Sequence, residues 1–313
     1  MGRSIVLGVV GDSAAGKTTL TRGLVRVLGE DNVTHVCVDD YHRFDRRQRA
    51  ERGITPLNPD CNYIDIMAQH LGHMRNAEPI LKPVYRHNDG TFGPLVRVDP
   101  KQFSVIEGLL GYYSEELRCL FDVRVYLKPP EVLRRKWKVQ RDCSRRGYTT
   151  DQVLSELDRR EDDSAAFIRP QEAYADIVVS FLPNDTGDAE HLDAELVLRP
   201  TLRHPDFHSV LDGTGEADDG IRIREADGEV HLFIPGRLEG ERARAIEEMI
   251  WQELHFASHL RSDRLGEFTI GTDLHRSESL ALIQLLLLYH LFTATASAAL
   301  GGSGTRATEA VAQ

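Results

Sequence analysis

Residues 5–10 form an unbroken apolar run, and runs of similar texture recur at 35–38, 103–106, 123–127 and 177–182. A strand that is apolar on both faces is covered on both, which marks a parallel sheet between helices rather than a half-solvated antiparallel one. Helical stretches at 17–28, 131–142 and 150–160 fall between these runs. The alternation predicts an α/β domain over 1–183, a parallel sheet flanked by helices, with its ligand site beyond the carboxyl ends of the strands.

After Pro183 the pattern changes. Asn184, Asp185, Gly187 and Asp188 make a polar break, and 184–300 reads as a smaller α+β segment. Short strands at 221–224 and 230–234 flank Ala226-Asp227-Gly228, a hairpin signal because the Asp-Gly pair suits a turn that needs positive φ. A helix is expected over 242–260, with Ile246, Met249, Ile250 and Leu254 on one face. The stretch 280–300 is apolar over the length a membrane helix needs. Gln284 and His290 interrupt it and no basic cluster follows, so it reads as a buried or subunit-facing helix. The Gly- and Ala-rich tail, 301–313, is predicted to be disordered.

Charge and cysteine content narrow the classes. The chain has 49 acidic against 38 basic residues, a formal charge of −11, which argues against broad nucleic-acid binding, since a phosphate backbone calls for a basic face. Cys37, Cys61, Cys119 and Cys143 are scattered with no CxxC spacing, so neither a zinc site nor a disulfide framework is expected, and a reducing cytoplasm fits. The run at 5–10 passes straight into a glycine-rich loop with no small-residue cleavage signal, the pattern of a first strand rather than a secretory leader.

That loop carries the strongest chemistry. Gly11-Asp12-Ser13-Ala14-Ala15-Gly16-Lys17-Thr18 matches GxxxxGK[ST] between an apolar strand and a helix. In this context backbone N–H groups and the helix N-terminus face the β-phosphate, and Lys17 reaches the β- and γ-oxygens. Thr18 offers its hydroxyl to Mg²⁺, and Thr19 completes the expected nucleotide site. Asp39 ends the 35–38 run and is a candidate base for an acceptor hydroxyl, with a helix N-cap or a ligand to Mg²⁺-bound water as alternatives. The basic run His42, Arg43, Arg46, Arg47 and Arg49 follows at once and suggests an anionic acceptor, although such a run is also the ordinary face of a solvated helix. Glu107, at the end of the 103–106 run, stands where a carboxylate holds Mg²⁺ directly or through water.

In order and spacing these segments resemble the phosphoribulokinase and uridine kinase family of P-loop kinases. The residues that carry the likeness are the phosphate loop, Asp39-Asp40-Tyr41-His42, Lys82-Pro83-Val84-Tyr85-Arg86-His87, Ile106-Glu107-Gly108-Leu109, Lys138-Val139-Gln140-Arg141-Asp142 through Arg145-Arg146-Gly147-Tyr148, and Pro170-Gln171. The pattern is more similar to the phosphoribulokinases of cyanobacteria and plants than to the shorter uridine kinases. The resemblance implies transfer of the ATP γ-phosphoryl, with Mg²⁺, to the 1-hydroxyl of ribulose 5-phosphate, and a homo-oligomer, a dimer, is expected. It makes Asp39 the base and puts His42, Arg46, Tyr85 and His87 on the sugar-phosphate side. It also places Lys138, Arg141, Asp142 and Arg146 on a lid, with Arg141 and Asp142 catalytic and Lys138 and Arg146 toward substrate. Taken by themselves, Lys138 and Asp142 also fit a solvent-exposed i, i+4 pair.

Two departures stand out from that pattern. Leu110 and Gly111 follow Glu107-Gly108-Leu109 where the family commonly has a histidine, and Ala15 replaces the phosphate-loop cysteine of the photosynthetic forms, leaving Cys37 and Cys61 expected as free buried thiols. A uridine-type nucleoside kinase, a kinase of another pentose phosphate and a non-catalytic ATP-binding regulator are the competing readings. Retention of Lys17, Thr18, Asp39 and Glu107 together speaks against the last.

Overall fold

The apolar run at 5–10 is a strand, β1 (Ile5–Gly11), with every residue buried. The computed structural model describes residues 2–184, 190–207, 220–254, 262, 264–270 and 273–300. The chain divides into two compact units, Met1–Lys17 with Asp31–Ala175 and Thr18–Glu30 with Asp176–Gln313.

In the first unit β1 pairs in parallel with β7 (Phe103–Gly108) on one side and β8 (Val123–Leu127) on the other, and β7 pairs in parallel with β2 (Val33–Cys37). The register sets Glu107 beside both Val9 and Cys37, so the predicted acidic position lies level with the carboxyl ends of its neighbours. β2 stops one residue earlier than expected, because Val38–Tyr41 winds into a 3₁₀ turn that carries Asp39. Gly11 closes β1 at φ 153°, and a Cβ there would lie 2.5 Å from the Leu127 carbonyl oxygen, so only glycine permits this approach. The sequence reading left the region between α3 (Ile64–Arg75) and β7 without elements. It holds two antiparallel ribbons, β3 (Ile80–Lys82) with β6 (Val96–Val98), and β4 (Tyr85–Arg86) with β5 (Thr91–Phe92). Helix α5 runs over Glu131–Arg146 and ends at Gly147 in the left-handed region, four residues beyond its expected end. Thr149 and Gln152 then form a reciprocal cap that starts α6 (Thr150–Arg159).

The second unit begins with α1 (Lys17–Leu28), apart from Lys17 itself. It also contains an antiparallel sheet of β9 (Ile177–Leu182), β10 (Asp193–Leu198), β11 (Arg222–Ala226) and β12 (Glu229–Ile234), in the order β11-β12-β10-β9. β10 buries Ala194, Leu196 and Leu198 and leaves the residues between them half-buried, the period-two pattern of a strand with one covered face. The expected hairpin joins β11 to β12, with φ 55° at Asp227 and 78° at Gly228, as a mirror-image turn requires. The helix expected over 242–260 is observed as Gly240–Glu253, and 255–260 lie outside the described residues, as do 185–189 and the tail 301–313.

The apolar stretch at 280–300 is a helix, Glu278–Ala299, with 78% of its most apolar window buried inside the protein. Its polar residues are matched from within. Gln284 is fully buried, accepts from the Gly266 N–H at 2.8 Å and donates to the Leu20 carbonyl at 3.5 Å. His204 donates Nε2–H to the Arg199 carbonyl at 2.8 Å, which leaves its Nδ1 to accept from Nε2 of buried His290 at 3.1 Å. Burial holds both imidazoles below their ordinary pKa, so the pair is neutral.

Contact between α1 and the apolar helix leaves no room for a side chain at Gly23, where a Cβ would fall 1.9 Å from Gln284 Nε2. Gly23→Ala is expected to destabilise the protein by about 1–3 kcal/mol, the cost of overpacking a filled contact, read as a lowered midpoint in denaturant. An unchanged midpoint would show that the Gln284 amide moves aside freely.

Candidate active site

The phosphate loop turns through three positive φ values, at Gly11, Ala14 and Gly16. Lys17 folds back across it, donating to the carbonyls of Gly11 and Asp12 at 2.8 Å each. Burial draws the Lys17 pKa below its ordinary value, opposed by Glu107, Asp39 and Asp12, with Arg141 adding to the lowering. Thr18 and Thr19, both exposed, carry the chain on into α1. Asp12 is occupied inside the protein: it accepts from the Ser164 hydroxyl and the Ser13 N–H, and Arg134 lies 3.9 Å away. The tightly packed Ala15 is fully buried.

Asp39 sits at the turn after β2. Burial works to raise its pKa, but His42, His87, Lys17 and Arg141 outweigh burial and hold it below the ordinary aspartate value. It is therefore a carboxylate at neutral pH, an acceptor ringed by potential cations. His87 Nε2 is 3.7 Å from its Oδ2.

The histidines beside it are fixed by partners distant in sequence. The Asn62 amide donates to the carbonyls of Pro56 at 3.1 Å and Asn58 at 2.9 Å, which turns its oxygen toward His42 Nδ1 at 2.7 Å. His42 therefore keeps its proton on Nδ1 and leaves the Nε2 lone pair available, and burial lowers its pKa so that the ring is neutral. Tyr85 stands between the two histidines, edge-on to His42 at 4.9 Å and to His87 at 5.1 Å. Its hydroxyl accepts from Arg49 at 2.5 Å. Asp40, next to the candidate base, accepts from the Tyr85 N–H at 2.8 Å and from the buried Lys82 ammonium, tying the β4 ribbon to the β2 turn.

The basic run divides by position on α2 (Arg46–Arg52). Arg49 is buried and donates to Tyr85 and to the Phe44 carbonyl at 2.7 Å, a packing role. Arg47 is exposed beside Glu51, and Arg43 lies over the Tyr63 ring. Arg46 is exposed and donates to the His87 carbonyl at 2.6 Å, which keeps its charge on the His87 side.

Helix α5 brings the other cations. Asp142 accepts from Lys138 and Arg141 at 2.8 Å each and lies 3.5 Å from Arg146. Lys138 and Asp142 are buried, so their i, i+4 pair is not the solvated one that spacing alone allows. Burial, with Arg141 and Arg160, lowers Lys138 to about 8, while Arg141 and Lys138 overcome burial and bring Asp142 to about 2. Arg141 and Arg146 both act on the electrostatics around Asp39, Arg141 on Asp39 itself and Arg146 on His87. At its start the helix is anchored to the loop, where Arg134 donates to the Ser13 carbonyl at 3.1 Å and the Trp137 ring lies against Gly16.

Glu107 is buried, 3.4 Å from His35 Nε2. A buried carboxylate at the strand ends is a hard oxygen donor of the kind that suits Mg²⁺. Leu110, where the family pattern is departed from, packs with Leu109, Leu57 and Ile168. Gln171 holds this turn by donating to the Leu109 carbonyl and accepting from the Tyr112 N–H, both at 2.8 Å. All four cysteines are free thiols: Cys61 is buried as expected, whereas Cys37 is only half-buried. Asp40, Asn62, Lys82, Arg134 and Ser164 were not singled out from sequence. Asp40 and Lys82 had a signal, each standing in a segment that carries the family likeness.

Residues 6–186 match the Phosphoribulokinase / Uridine kinase family. A phosphoribulokinase of Synechocystis is 40% identical over 58% of this chain and 54% of its own length. A uridine kinase of Brevibacillus brevis is 31% identical over 57% of this chain and 86% of its own length. The chain thus spans about half the length of the curated phosphoribulokinases it matches and most of the uridine kinase. The solved phosphoribulokinase from Rhodobacter spheroides superposes with a TM-score of 0.60 at 20% identity, covering 82% of this chain and 98% of that one, and shares the fold.

Because Lys138 titrates near 8 in the folded protein, it is cationic below that pH and neutral above it. Turnover that needs its charge is expected to fall as pH rises through about 8. Lys138→Arg should move this alkaline limb upward, since arginine stays charged. A limb that stays in place would belong to another group.

Proposed function

The chain belongs to the phosphoribulokinase and uridine kinase family, and from that membership we propose that it transfers the γ-phosphoryl group of ATP to a hydroxyl of a sugar phosphate, with ribulose 5-phosphate as acceptor. The observation that carries this reading is Asp39, held ionised within a ring of His42, His87, Lys17 and Arg141. A carboxylate so placed orients one hydroxyl and takes its proton, and the neighbouring cations Lys17 and Arg141 suit an acceptor that is itself an anion.

The acceptor hydroxyl oxygen bonds to the γ-phosphorus as the bond to the bridging oxygen of ADP breaks, and the hydroxyl proton passes to Asp39. Thr18 and Glu107 would hold Mg²⁺, which when bound offsets charge on the β- and γ-oxygens. Lys17, which donates to the Gly11 and Asp12 carbonyls, would turn its ammonium onto a bound phosphate. Arg141 and Arg146 stand ready to meet charge on the transferring group, their guanidinium groups oriented by Asp142. His42, with Nε2 open, accepts from a sugar hydroxyl or, once protonated, donates to phosphate.

The uridine-type reading has one observation in its favour, the near-complete coverage of a uridine kinase. ATP turnover with ribulose 5-phosphate, ribose 5-phosphate, other sugar phosphates and uridine separates the two. Ribulose 5-phosphate is expected to turn over fastest, and faster turnover of uridine would reject the proposal.

Two substitutions test the roles. Asp39→Asn should keep ATP affinity and lower kcat at least about a hundredfold, the range of a general base. Full turnover would remove Asp39 from that role. Arg46→Ala should raise KM for the sugar phosphate about tenfold, roughly 1.4 kcal/mol, and leave that for ATP nearly unchanged, with Arg46→Lys recovering part. Damage to ATP binding alone would place Arg46 on the nucleotide side.

A further inference from the structure

Beside the proposed base lies a thiol that phosphoryl transfer does not use, and it completes a set of three donors. Cys37 Sγ, a carboxylate oxygen of Asp39 and a ring nitrogen of His87 all lie within 4.8 Å of one another. We propose that these three residues form a binding site for a borderline-soft divalent cation such as Zn²⁺, and that its occupation withdraws Asp39 from catalysis. The second clause rests on the reading of Asp39 as the base.

Ligand type and geometry both point to such an ion. A tetrahedral Zn²⁺, with sulfur at about 2.3 Å and nitrogen and oxygen at about 2.0–2.1 Å, sets its donor atoms roughly 3.3–3.6 Å apart. His87 Nε2 and Asp39 Oδ2 are 3.7 Å apart, and side-chain rotation of about an ångström closes the remainder. Thiolate and imidazole disfavour Mg²⁺, so the metal that accompanies ATP does not compete for this set. The Cys37 thiol gives up its proton to solvent as the metal–sulfur bond forms.

Two of the three donors are also held. Cys37 ends β2 in register with Glu107. His87 is fixed by the Arg46 contact to its carbonyl and by the edge of Tyr85, which Asp40 in turn anchors. His87 keeps 42% of its side chain exposed, leaving a fourth position open to water, as in sites that bind exchangeably rather than as closed structural centres.

Co²⁺ added to the full chain is the probe. One equivalent should produce a sulfur-to-cobalt charge-transfer band in the near ultraviolet, displaced by Zn²⁺. Cys37→Ser and His87→Ala should each lose the band or weaken affinity at least roughly a hundredfold, more than an outer-sphere change costs. Cys119→Ser should keep it. Zn²⁺ in the presence of excess Mg²⁺ should inhibit turnover, relative to each variant's own rate, far more in the wild-type chain than in Cys37→Ser. Absence of the band, or its survival in Cys37→Ser, overturns the site. A band that forms while saturating Zn²⁺ leaves turnover intact upholds the site and removes Asp39 as the base.

Discussion

Carboxylates gathered at the carboxyl ends of neighbouring parallel strands repel one another unless positive charge is built in beside them, and Lys17 is where the first unit meets that constraint. Asp12, Asp39 and Glu107 all act to keep it protonated while burial acts against them. The loop geometry follows from the same need, since the ammonium reaches the carbonyls of Gly11 and Asp12 only if the backbone turns sharply between β1 and α1. A buried carboxylate that stays ionised is useful to catalysis, and its stability depends on the cations placed around it.

Helix α5 solves the converse problem. It carries seven basic and two acidic residues, and each acid serves several bases: Glu131 pairs with Arg134 and Arg135 near the start, and Asp142 gathers Lys138, Arg141 and Arg146 near the end. Without Asp142, three cations would face one another in a partly dehydrated space. With it they are held as a group beside the acceptor pocket, oriented before any anion arrives.

What the sequence made legible was local or periodic. The phosphate loop is a contiguous motif, the apolar strands announce burial on both faces, and Asp227-Gly228 announces its own turn. What it hid depended on contacts between distant segments. The His42 tautomer is set by Asn62, itself fixed by the carbonyls of Pro56 and Asn58. Arg46 and Arg49 look alike in a basic run and, three residues apart, share one side of α2, yet Arg46 at the first position of the helix stays exposed on the His87 carbonyl while Arg49 is buried against Tyr85. The ribbons between α3 and β7 have strands of two or three residues, too short for any period to show. The half-burial of Cys37 likewise follows from where β2 ends.

The Arg134 contact to the Ser13 carbonyl fixes one end of a rigid rod. From Arg134 to Arg146 helix α5 rises about 18 Å, so a tilt of about 10° about that end sweeps the far end through about 3 Å, the length of a hydrogen bond. A tilt about the phosphate loop is thereby felt most at Arg146. The helix has the geometry of a lever whose fulcrum is the Ser13 turn and whose long arm carries the cations around Asp142.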